Sequence, residues 1–97
     1  MLKYITILKD GGDGWILIDI PDLNCMTQAR DIVDVIPAAK DCMELMLSEY
    51  YLHGEAYPKA SDIEDIEYDK EKEIPFIISI YEKKVVELAE KGQDNRK

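Results

Sequence analysis

Residues Leu2 to Lys9 (LKYITILK) set Leu2, Tyr4, Thr6 and Leu8 on one face and Ile5 and Ile7 on the other, a period of two that predicts a half-buried strand. Asp10-Gly11-Gly12-Asp13-Gly14 follows, with three glycines that tolerate positive φ, and Trp15 to Ile20 (WILIDI) resumes the strand pattern. The two runs predict a β-hairpin. Pro21-Asp22 ends the second strand by removing a ladder donor, and Leu23 to Thr27 leaves room for a short third strand.

From Asp31 the period changes. Ile32, Val35, Ile36, Ala39, Met43, Met46, Leu47 and Tyr50 recur at spacings of three and four, one apolar face of a long helix. Asp31 is placed to cap its start and Gly54 to stop it, and Pro37 is expected to bend its first turns by removing a backbone hydrogen bond. Glu55 to Glu73 reads as a long acidic connection that Ile63 and Ile66 pin to the body. Ile74 to Ile80 (IPFIISI) has strand length and composition, with Pro75 suited to a strand start or an edge. Tyr81 to Lys91 predicts a short helix offering Val85, Leu88 and Ala89 for packing, before a charged end from Gly92 to Lys97. The expectation is an α+β fold: an antiparallel sheet in the order β-β-β-α-β, one long helix packed on a face, and a short C-terminal helix. Residues 1–81 form the core domain of that expectation, and 82–97 the C-terminal helix and tail.

Charge narrows the function classes. The 97 residues hold 12 Lys+Arg against 21 Asp+Glu, a formal net charge of −9. Phosphate binding draws affinity from counterions released by Lys and Arg, so a nucleic-acid binder is disfavoured and a basic protein is the natural complement. No window approaches the run of ~20 apolar residues that a membrane span needs, and Met1-Leu2 meets Lys3 directly instead of opening an apolar signal region, so a cytoplasmic home is expected. Cys25 and Cys42 have no CxxC context and only one His accompanies them, which favours two reduced, mostly buried thiols over a disulfide framework or a zinc site.

Candidate chemistry is sparse. Asp10, Asp13, Asp19, Asp22 and the later acids could supply oxygens to Mg²⁺ or Ca²⁺, but their spacing specifies no site. Asp19 interrupts an apolar strand, as the strand-borne acids of metal-dependent nucleases do, so an RNase H-like nuclease using strand carboxylates is the alternative function. Alternation places Asp19 with Trp15 and Leu17, toward an edge or the solvated side of the sheet. His53 suits a helix-end or surface role, and Ser48, Ser61 and Ser79 lack any nucleophile-elbow context. Met43, Met46 and Leu47 read as core, whereas Tyr50, Tyr51 and Tyr57 gather where aromatic contacts favour an interface.

Tyr4, Asp10-Gly11, Gly14-Trp15, Ile20-Pro21-Asp22-Leu23 and Thr27-Gln28, a helix with Ala39, then Gly54-Glu55 and Pro58…Ser61 form a pattern running from Tyr4 to about Tyr81. It resembles the HicB-like antitoxin family: an aromatic first strand, a D-G turn, a second strand ending in P-D-L, a C-x-T-Q segment, a long helix and a P-x-x-S exit. Asn24 replaces the usual Pro-Gly before Cys, Ala29 the usual Gly after T-Q, and Pro37 a good helix former. The resemblance implies a degraded, partial RNase H-like core without nuclease activity and without a cofactor. It also implies a partner, a small basic HicA-type mRNA interferase, in a type II toxin–antitoxin pair. Acidic Asp62, Glu64, Asp65 and Glu67, with Asp10 and Asp13 of the hairpin, are the candidate toxin contacts. Many relatives append a DNA-binding segment. Here 17 residues follow Ile80, fewer than either usual module needs, so DNA binding by this chain is not expected. An exposed sheet edge and the aromatic helix end also favour a homodimer or higher homo-oligomer.

Overall fold

The computed structural model describes residues 1–94, with side chains to Lys91. Four strands form one sheet: β1 (Leu2–Gly12), β2 (Trp15–Ile20), β3 (Cys25–Ala29) and β4 (Ile74–Ile80). The spatial order is β3-β2-β1-β4 and every neighbouring pair is antiparallel. Helix α1 (Val35–Leu52) lies across one face, and helix α2 (Glu82–Asp94) packs beside it. The α+β expectation of one long and one short helix on a four-stranded antiparallel sheet is what the structure has.

The hairpin is tighter than the sequence suggests. β1 continues through Asp10 and Gly11 to Gly12, with a register shift between Asp10 and Gly12, and only Asp13 and Gly14 form the turn. Both have positive φ, 52° and 83°, the conformation whose twist matches a right-twisted two-strand ribbon. Beyond β2, Pro21–Leu23 makes a single 3₁₀ turn that ends at left-handed Asn24, so the third strand starts at Cys25 rather than at Leu23.

On the helix-facing side, Tyr4, Ile18, Ile20, Cys25, Ala29, Ile78 and Ile80 meet Val35, Ala39, Met43 and Leu47 of α1 and Val85 of α2 in one core. Cross-strand pairing builds this layer: Ile18 lies opposite Leu8 and Thr27, Ile20 opposite Cys25, and Tyr4 opposite Ile78. Val85 and Ala89 of α2 are fully buried while Leu88 is partly exposed, so the C-terminal helix shares the core of residues 1–81.

Two features of α1 correct the sequence expectation. A 3₁₀ turn over Ile32–Asp34 precedes the helix, which starts at Val35. Pro37 is therefore its third residue, where the backbone N–H has no intrahelical partner to lose, and the expected interior bend has no cause. The same turn leaves Ile32 and Ile36 exposed, so the buried stripe is Val35, Ala39, Met43 and Leu47. At the other end Gly54 does stop the helix. Its φ is +68°, its N–H donates to the Tyr51 carbonyl at 3.1 Å, and the Glu55 N–H donates to the Tyr50 carbonyl at 2.9 Å. These are the two bonds of a Schellman cap, and a side chain at Gly54 would strain that backbone.

Cys25 on β3 and Cys42 on α1 are joined as a disulfide, with Cα atoms 6.9 Å apart. This corrects the reading of two reduced thiols: 17 positions separate them in the chain, but α1 lays one over the other, a proximity that spacing does not reveal.

Candidate functional site

After Gly54 the chain leaves the helix layer, and two side chains, one from β1 and one from the turn after β2, hold it. The Tyr4 hydroxyl donates to the Pro58 carbonyl at 2.6 Å. Asp22, in the turn after β2, accepts two bonds from Ser61: its Oδ2 from the backbone N–H and its Oδ1 from the hydroxyl, both at 2.7 Å. Bonds to a carboxylate are the strong class, and two at one residue fix direction as well as position. Burial, then the Asp22 carboxylate, then Tyr50 push the Tyr4 hydroxyl above its usual pKa of 10.0. Tyr57 is shifted the same way by burial and by the nearby Glu82 carboxylate, and its hydroxyl is buried outside hydrogen-bonding geometry.

Past this latch the segment 60–64 borders a groove of about 700 Å³ whose other walls come from β1 and β4. Its floor includes Ile5 and Ile77, paired on the sheet face away from α1, and its rim carries Asp62 and Glu64, with Lys3 the one cation among the lining residues. Ile77 lies opposite Ile5 in the β1–β4 pairing and is 64% exposed. Ile63, expected to pin the connection, is 42% exposed, while Ile66 is half-buried.

The six candidate acids separate into two groups. Asp62, Glu64 and Asp65 lie together in and beside the 3₁₀ turn Ile63–Asp65, and Glu67 follows, all exposed. Asp10 and Asp13 occupy the hairpin, where Asp10 Oδ1 accepts a bond from the Gly12 N–H at 2.9 Å. Eight residue steps along the hairpin separate Ile5 from Asp13, about 25 Å at the usual rise, so the two groups do not share one contact surface of small size. Lys3, Ile5, Phe76 and Ile77 were not singled out by sequence. For Phe76 and Ile77 the signal is the run IPFIISI, broken only by Ser79, which is too apolar on both faces for an edge strand open on one side.

Asp19 is on the sheet face away from α1, as alternation placed it, and pairs with Lys9 at 3.1 Å. Among the described residues no three His, Cys, Asp or Glu side chains gather as metal ligands would. His53 stands at the end of α1, exposed, with its Nε2 3.5 Å from the Glu49 carboxylate one turn back. Among the described residues no helix is long and apolar enough to cross a membrane. No family model matches the chain, and no curated protein matches it.

Proposed function

We propose that this chain is a HicB-like antitoxin, a non-catalytic cytoplasmic protein that binds and neutralises a small basic HicA-type mRNA interferase. The observation that carries the reading is the latch. Tyr4, Asp22, Pro58 and Ser61, four scattered positions of the pattern that resembles the family, are bonded in two pairs, Tyr4 with Pro58 and Asp22 with Ser61, across up to 54 residues of sequence. A chance resemblance has no reason to pick out residues that meet. The negative surplus supports the same reading, because an acidic surface can mask the cationic RNA-binding face of a toxin and speed the encounter. The resemblance also carries the degraded RNase H-like core. The 53–73 connection brings β4 in antiparallel to β1, whereas the RNase H-like relation rests on the resemblance alone.

The chain masks the toxin as a homodimer or higher homo-oligomer, and DNA binding is no part of the proposed role. Purified chain mixed with the small basic protein encoded beside it is expected to co-elute as one complex at physiological salt. Absence of a complex even at low salt overturns the proposal. RNA incubated with the chain and Mg²⁺ or Mn²⁺ is expected to stay intact, and cleavage that is lost in Asp19→Asn would replace this reading with a nuclease.

A further inference from the structure

We propose that the groove bounded by β1, β4 and the 60–64 segment seats an apolar side chain borne on a lysine- or arginine-rich segment of a cationic protein partner. The partner's identity rests on the antitoxin reading, whereas the site rests on the groove itself. Ile77 is 64% exposed although the next residue, Ile78, is 2% exposed. With Ile5, its partner on β1, it gives the groove an apolar floor, and about 700 Å³ is room for more than one large side chain. Asp62 and Glu64 stand on the rim, with Asp65 exposed beside them. An apolar centre whose rim acids outnumber its single lysine is the anatomy of a protein contact in which burial supplies affinity and the rim selects a partner of opposite charge. A second copy seated symmetrically on this groove fits poorly, since it would bring its own Asp62 and Glu64 against the same acids. The wall is also set before any partner arrives. Ser61 is held by both oxygens of Asp22 and Pro58 by Tyr4, so little ordering is left for binding to impose.

The probe is a synthetic peptide of alternating lysine and leucine, titrated into the ¹⁵N-labelled full chain. Saturable amide shifts are expected at residues 3–5, 60–64 and 75–77. Ile77→Glu should weaken binding at least tenfold with an unchanged melting temperature. Asp62→Asn/Glu64→Asn should weaken it severalfold, Lys3→Glu should tighten it, and Asp10→Asn/Asp13→Asn should leave it within twofold. Shifts centred on the hairpin, shifts spread evenly over the acids, no saturation, or self-association through Ile77 would each overturn the proposal. The same variants are then mixed with the neighbouring basic protein. If that protein binds wild type and Ile77→Glu equally, the groove is wrong while the antitoxin reading survives. If it binds neither while the peptide still maps to the groove, the groove survives and the antitoxin reading falls.

Discussion

Under α1, the sheet side chains Tyr4, Ile18, Ile20 and Ile78 are all almost fully buried, whereas on the opposite side Ile7 is fully buried and Ile77 is 64% exposed. The first side owes its burial to a second layer, the helices. The other side depends on position within the sheet: Ile7 sits on the inner strand β1 between Asp19 of β2 and Pro75 of β4, while Ile77 is on the edge strand. The difference teaches that alternation identifies faces but not covers. An apolar residue on an open face is shielded only where neighbouring strands and a crossing segment reach it, and where they do not, it remains available to a partner.

The sharpest test of this contrast is on the covered side. Ile18→Ala is expected to cost about 2–5 kcal/mol, the range for a buried large-to-small change, read from urea unfolding. Reduction of the Cys25–Cys42 bond, which ties edge strand β3 to α1, should cost about 3 kcal/mol by loop-closure arithmetic. Alkylation of both thiols without prior reduction would show the bond absent in solution. Asp22→Ala removes both anchors of Ser61 and should cost about 1–3 kcal/mol, with faster amide exchange through residues 58–66 and little change in α1.

Tyr4→Phe removes the bond to Pro58 and should cost about 1 kcal/mol at neutral pH. It should also blunt an alkaline loss of stability. The folded-state pKa of Tyr4 is raised above the usual 10.0, so the folded chain holds this proton where the unfolded chain has begun to release it. That contribution is intact below about pH 10 and is lost as pH rises through the folded-state value. A melting-temperature series from pH 8 to 12 checks the sign. The smallest effect is expected at Ile77→Ser, within about 0.5 kcal/mol, despite its place in the same strand as Ile78. A large loss there would mean that the open face is closed in solution and would end the comparison.

Most of the layer under α1 was legible in the chain. Periods of two and of 3.6 lead directly to Tyr4, Ile18, Val35, Ala39 and Leu47, and Gly54 marks the stop of the helix it ends. Helix phase at the start was not legible, because a 3₁₀ turn at Ile32–Asp34 shifts the register of Ile32 and Ile36 without any local sequence conflict. The latch was legible only as isolated motif letters. Asp22 and Ser61 lie 39 residues apart, and no local rule says that a carboxylate after β2 will receive a serine after α1. The groove was half visible: its acids stand out by charge, but its floor depends on the β1–β4 pairing, which only the assembled sheet defines.

That pairing has a further consequence during synthesis. β1 is made first, yet its partners in β4 lie 66 positions later for Leu8 with Ile74 and 78 later for Leu2 with Ile80. At 5–20 residues per second the ribosome leaves one flank of this central strand unpaired for about 3–15 s, longer than a local hairpin takes to close. The nascent β1–β2–β3 meander thus passes through a stage with a naked apolar border, and a chaperone or a sister chain that reaches it then competes with β4 for the same row of amides.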